Sequence, residues 1–184
     1  MSQADIAAIL RFWFEEAGKE KWFRGGAAFD RDVAARLGDL HARAAADELD
    51  GWAESADGAL ALLILLDQVP RNIHRGTPAA FATDAKALAI ARRALEQGFD
   101  LAMPDDDRRA FLYLPFEHSE DIADQRLAVC LFEERTSHAT YQDYARRHLA
   151  VVERFGRFPH RNAILGREST REEREFLAQP GSGF

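Results

Sequence analysis

The sequence predicts an all-α fold, and three observations carry that prediction. Apolar residues recur at three- and four-residue intervals in one segment after another. No stretch alternates apolar and polar residues as a half-buried strand would, and the breaks between segments hold capping residues, glycine or proline. About eight helices joined by short turns account for nearly the whole chain. They are expected to stack as helical hairpins in a single compact domain over residues 1–178, followed by a flexible tail at 179–184.

In chain order, Ser2 and Asp5 form a capping-box-like start, and Ile6, Ile9, Leu10, Trp13 and Phe14 continue one helical face to about Glu16, before Gly18. The segment from Lys21 to Gly26 reads as a turn whose two aromatics, Trp22 and Phe23, cover a helix end. Phe29, Val33, Leu37 and Leu40 mark the second helix. Ser55 is placed to cap a third whose centre, Ala59 to Leu66, is apolar all round and therefore predicted to be the most buried element. Pro70 should then end or kink it.

Thr77 and Pro78 read as the start of a fourth helix running through Phe81, Leu88 and Leu95 to Gly98. Asp105 to Asp107 cap a fifth that contains Phe111, Leu112 and Leu114 and is bent or ended by Pro115. Ser119 is the expected cap of the sixth, with Leu127, Val129, Leu131 and Phe132. The seventh begins near Thr136 or Ser137 and carries a stripe of Tyr141, Tyr144, His148, Val151 and Phe155, in which His148 reads as a satisfied core histidine. Gly156 should close it in a left-handed conformation and Pro159 should hold Phe158 extended. Thr170 and Glu173 then supply a capping box for a short last helix.

Composition bounds the partners. The chain is 184 residues long, 47% hydrophobic and 30% charged, with 24 basic against 31 acidic residues and a net charge of −7. That balance disfavours nucleic acid and anionic membrane surfaces. The longest apolar run is too short to span a bilayer and the N-terminus lacks a signal-peptide pattern, so a cytoplasmic location is expected. Cys130 has no second cysteine to pair with and, between Val129 and Leu131, reads as a buried, inert thiol. Trp13, Trp22 and Trp52 are expected to be packing anchors, and no cofactor is implied.

Three polar nodes interrupt this apolar pattern: Leu66 to Gly76, Pro115 to Asp121 with Gln125, and Phe155 to Thr170. The functional reading is that they converge on one pocket for a carboxylated or phosphorylated metabolite, because arginine grips such groups with two parallel N–H donors. Its ligand-binding candidates are Asp67, Gln68, Arg71, Asn72, Arg75, His118, Gln125, Arg157, His160, Arg161 and Asn162. Glu117, His118 and His160 are the candidate proton carriers, without pointing to a particular reaction. Two other readings stand beside this one. Asp67, Glu117, Glu120 and Asp121 would consume the arginines in a buried structural network, or a groove between helix pairs would bind an acidic peptide or a second copy of the chain. No metal site is expected, since Glu117, His118 and His160 lack ligand spacing, and no glycine-flanked serine suggests a nucleophile.

The three motifs Leu66-Asp67-Gln68-Val69-Pro70-Arg71-Asn72, Pro115-Phe116-Glu117-His118-Ser119-Glu120-Asp121 and Phe155-Gly156-Arg157-Phe158-Pro159-His160-Arg161-Asn162, in this order, resemble a bacterial family, domain-of-unknown-function family nine hundred and twenty-four. The resemblance covers nearly the whole chain. It implies a helical fold similar to the right-handed tetratricopeptide-repeat superhelix and brings no assigned activity, substrate or catalytic residue. The repeat's own sequence signature is absent, so peptide binding does not follow from it.

Overall fold

The computed structural model describes residues 3–22 and 25–183, and these form helices and turns with no strand. Ser2, Phe23 and Arg24, on which the N-terminal capping box and part of the predicted turn rest, lie outside the described residues.

Helix α1 (Gln3–Arg11) buries Ile6, Ile9 and Leu10 and widens into a π-helical segment, Phe12–Ala17. The Gly18 N–H closes that segment by donating five residues back to the Trp13 carbonyl at 3.2 Å. The same carbonyl accepts Trp22 Nε1–H at 2.7 Å. Trp22 sits in a helical turn, α2 (Lys19–Trp22), where the sequence had suggested irregular chain. Its ring meets Phe14 and Phe111 edge-on, with centroids 5.5 and 4.9 Å away, as the packing-anchor reading predicts.

Helix α3 (Gly26–Ala45) buries the expected Phe29, Val33 and Leu37. Helix α4 (Ala56–Leu63) is capped by Ser55, whose Oγ accepts the Gly58 N–H at 3.2 Å. Gly58 is needed there because a Cβ would lie 2.1 Å from the Trp52 carbonyl oxygen. Every residue from Ala59 to Leu66 is at most 1% exposed, and α4 packs against α1 as well as two later helices. The apolar-all-round stretch is therefore the centre of the fold. It does not stop at Pro70: a second π-helical segment, Ile64–Gln68, joins it to α5 (Val69–Ile73).

The remaining helices are α6 (Asp84–Glu96), α7 (Asp106–Glu117), α8 (Ile122–Arg135), α9 (Ala139–Phe155) and α10 (Arg171–Leu177). Consecutive helices from α6 to α9 pack on one another, and α4 also touches α6 and α7. Three local expectations change. Thr77 and Pro78 start only a 3₁₀ turn, Pro78–Phe81, with the Thr77 hydroxyl donating to the His74 carbonyl at 2.8 Å, and α6 begins at Asp84. Asp121, not Ser119, caps α8: Asp121 Oδ1 accepts the Ala123 N–H at 2.7 Å, while the Ser119 hydroxyl donates to Asp124. Cys130 is exposed, because the helical period turns Ala128, Leu131 and Phe132 inward and leaves position 130 outside. A hydrogen bond with Glu134 pushes its thiol pKa up, which disfavours the thiolate.

Gly156 closes α9 at φ 67°, and Phe158 is extended before Pro159, both as predicted. The α10 capping box is present, with Glu173 accepting the Thr170 N–H at 2.7 Å. No helix among the described residues is long and apolar enough to cross a membrane.

Candidate functional site

The site begins with the proline in the α4–α5 connection. Pro70 has no N–H to return to the preceding turn and its ring crowds the carbonyls there, so the turn widens and Val69 N–H reaches back five residues to Ile64 O. Carbonyls at residues 65 to 68 are then satisfied by side chains. Leu65 O accepts from His41 Nδ1 at 2.8 Å, Leu66 O from the Thr83 hydroxyl, Asp67 O from Arg71, and Gln68 O from Asn72 at 3.0 Å. The polar residues that follow the apolar helix therefore have definite work: His41, Thr83 and Asn72 close the backbone, and the Asp67 side chain is aimed at the second node.

Asp67, 1% exposed, is the hub. Its carboxylate accepts from Gln68 Nε2, lies 3.1 Å from Arg71 Nη1, and takes His118 Nδ1 at 2.7 Å. An ionised carboxylate only accepts, so the proton of the neutral His118 ring sits on Nδ1. Burial alone would raise the Asp67 pKa, but Arg71 and His118 outweigh it and hold the group far below the ordinary carboxylate range. Arg71 in turn grips Asp84 with both terminal nitrogens, at 2.9 and 3.1 Å.

The third node enters through Phe158. Its N–H donates to Glu120 at 2.7 Å and its ring, fully buried, stands 5.6 Å from the rings of His148 and His160. His148 Nδ1 lies 2.9 Å from Tyr144 O and 3.0 Å from Glu117 Oε1, and its ring is 6.4 Å from His118. The core-histidine reading of His148 holds. Burial and the Arg161 charge push His160 down to about 4, so it is neutral.

Arg161 is the exception among the arginines. It is 7% exposed, lies over the rings of Phe81 and Phe158 at 4.7 and 4.6 Å, and its nearest carboxylate is Asp84 at 3.6 Å, already held by Arg71. Its buried Nε has no hydrogen-bond partner among the described residues. Burial first, and then repulsion from Arg71, lowers its pKa to about 10. A guanidinium packed on aromatic rings keeps its N–H edge for a planar acceptor, and here that edge is not used up.

Asp67, Gln68, Arg71, Glu117, His118, His160 and Arg161 are thus brought together, along with Asp84 and His148. The other candidates are committed elsewhere. Arg75 pairs with Asp30 at the surface at 2.8 and 2.9 Å. Arg157 makes two bonds to Glu173, at 2.7 and 2.9 Å, which hold that carboxyl down at about 2. Gln125 Nε2 closes the end of α7 on Glu117 O and Ser119 O, both at 2.6 Å. Asn162 receives Arg167 Nε at 3.0 Å, and Arg167 makes two bonds to Glu120, at 2.6 and 2.9 Å. Asp121 caps its helix, so of the four acids named for a structural network, Asp67 and Glu120 hold arginines and Glu117 holds a histidine.

Asp84 is the residue that sequence reasoning missed. The available signal was its position directly after Phe81-Ala82-Thr83, between a proline turn and an apolar helix face, where an acid suits the positive end of the helix. Among the described residues, no three His, Cys, Asp or Glu side chains gather in a way that would hold a metal ion.

A family model described as a bacterial protein of unknown function, DUF924, matches residues 9–181 of the chain. No curated protein matches it. The chain is also similar to a solved structure described as a protein of unknown function, ATU0120, from Agrobacterium tumefaciens. The two are 48% identical, the match covers 97% of this chain and 99% of that one, and the TM-score is 0.91.

Proposed function

We propose that this chain, which belongs to the DUF924 family of bacterial proteins, binds a small oxyanion, a carboxylate or phosphate group of a metabolite, on the free edge of Arg161. The observation that carries this reading is the state of Arg161: a cation almost wholly buried, over two aromatic rings, with an Nε that no described residue accepts from. Burying a guanidinium without hydrogen bonds is costly, by a few kcal/mol for an unmet polar group and more for a charge. An oxyanion would offset that cost by accepting in the guanidinium plane. Arg71 strengthens the local positive field, although Asp84 and Asp67 already occupy its donors.

This reading differs from a purely structural network in one respect. The network accounts for Arg71, Arg75, Arg157 and Arg167, each of which has its acid. It leaves Arg161 without one of its own. The cytoplasm, with its supply of phosphorylated and carboxylated metabolites, is the location that suits this function.

A thermal-shift series tests it. Inorganic phosphate, sulfate and small carboxylates at about ten times their Kd should stabilise the wild type by roughly 1.4 kcal/mol, raising Tm by about 3–6 °C. Arg161→Gln should remove that response and still fold, because Asp84, 3.6 Å away, keeps both of its hydrogen bonds from Arg71. Arg157→Gln should lower Tm through loss of the Glu173 contact and keep the anion response. No response by the wild type, or an unchanged response in Arg161→Gln, overturns the reading.

A further inference from the structure

We infer that Phe81 is the gate of the Arg161 site: its ring covers the guanidinium and moves aside to admit the anion. This rests on the reading of Arg161 as an anion site and adds the residue that controls entry to it.

Arg161 points Nη1 toward Asp84, 3.6 Å away, and leaves the side-on edge formed by Nε and Nη2 without a hydrogen bond among the described residues. Such an edge can hold an oxyanion with two parallel donors. Its Nε is nevertheless buried, so no anion reaches it from solvent unless a neighbouring group gives way. Of the three side chains that flank the guanidinium, two are fixed. Phe158 is fully buried in an apolar cluster with Val151 and Val152, and its N–H and carbonyl are engaged by Glu120 and Arg167. Asp84 is held by two bonds from Arg71, at 2.9 and 3.1 Å. Phe81 is the third, and it is different.

Phe81 is half-buried and belongs to neither apolar cluster of the described residues. Its ring centroid lies 4.7 Å from the Arg161 guanidinium carbon and 5.7 Å from that of Arg71. A phenylalanine is ordinarily held by apolar neighbours, whereas this one is faced by two cations, an attraction that weakens when an anion neutralises them. The ligand therefore loosens the group that blocks its entry. The chain around Phe81 suits a side chain that swings while the backbone stays. Phe81 ends the 3₁₀ turn Pro78–Phe81, in which Ala80 is 2% exposed and donates its N–H to Thr77 O at 3.1 Å, and beyond it the Thr83 hydroxyl ties the chain to Leu66 O. Ala79 and Ala82 are exposed and carry only a methyl group each on the solvent side. Rotation about the side-chain bonds of Phe81 uncovers Arg161 and leaves those hydrogen bonds intact.

Hydrogen exchange of the Arg161 Nε–H, its signal identified by its loss in Arg161→Gln, reads the gate without any ligand. Phe81→Ala, expected to fold because Phe81 lies outside the apolar clusters, should speed that exchange by about tenfold or more. Phe81→Leu keeps a side chain over the guanidinium and should speed it by less. Calorimetric titration with sulfate reads the consequence. With no ring to displace, Phe81→Ala should bind sulfate roughly three- to tenfold more tightly than the wild type. Should Phe81→Ala not fold, Phe81→Leu carries both measurements with the same signs. Sulfate binding by the wild type with Nε–H exchange unchanged in the variant, or with sulfate binding in the variant no tighter than in the wild type, overturns the gate and leaves the anion site standing. No sulfate binding by either protein overturns the anion site and the gate with it.

Discussion

Replacing Phe158 by alanine is expected to cost about 3–5 kcal/mol, a large share of the roughly 5–15 kcal/mol that holds a domain of this kind together. Phe158 is fully buried, and its ring touches three separate parts of the site: His148 on α9, His160 beyond Pro159, and the guanidinium of Arg161. Its backbone is engaged as well, with the N–H on Glu120 and the carbonyl accepting from Arg167 at 3.2 Å. Those main-chain bonds survive the substitution, so the loop should keep its path and the loss should come from the cavity and from one aromatic ring over Arg161. Urea unfolding of the purified variant measures it. A loss below about 1 kcal/mol would mean that the loop closes over the gap and that the ring does not fix the third node.

The second large effect is Asp67→Asn, expected to cost about 3 kcal/mol, at the low end for breaking a buried ion pair. The low end applies because Arg71 keeps Asp84. What is lost is the charge that pairs with Arg71 on one side and fixes the His118 tautomer on the other. The pH dependence has a definite sign. The folded carboxylate has its pKa depressed, so its contribution is full above the ordinary aspartate pKa of about 4 and is lost as pH falls below that. The wild type and Asp67→Asn should therefore approach each other in stability on acidification. A constant gap down to about pH 3 would show that Asp67 is not held ionised by its partners.

The helices themselves were legible because burial on one face imposes a period that no turn or strand shares. Ser55, Gly156 and the Thr170–Glu173 pair were legible because each satisfies backbone groups that no neighbour can. The π-helical segments were not. An apolar run such as Ile64 to Gln68 looks the same whether each turn holds an average or an extra residue, and only the partners of Leu65 O and Leu66 O, at His41 and Thr83, give it away. Ser119 and Asp121 are both good caps two residues apart, and the choice falls to Asp121 because Ser119 is drawn to Asp124 on the first turn of α8. Cys130 was misplaced by reading its apolar neighbours in sequence when the helical phase decides exposure.

The site was legible as composition and not as pairing. Arg157 and Arg161 stand four residues apart in the same loop and look alike in the sequence. Arg157 is taken by Glu173, whose capping-box role was already visible and which has a second oxygen to offer. Arg161 is turned inward by the 3₁₀ turn Pro159–Arg161, onto Phe81 and toward an Asp84 that Arg71 has already claimed. Which arginine is left over depends on contacts between segments far apart in the chain, and no local pattern encodes it.

The most direct test of the account is to follow the side-chain Nε–H resonances of the arginines by ¹⁵N–¹H NMR while sulfate is added, identifying the Arg161 signal by its loss in Arg161→Gln. The expected result is a saturable downfield shift of Arg161 Nε–H, with Arg157 and Arg167 unmoved because Glu173 and Glu120 already hold them. An Arg161 signal that stays in place, or that drifts in step with all the others, would contradict it.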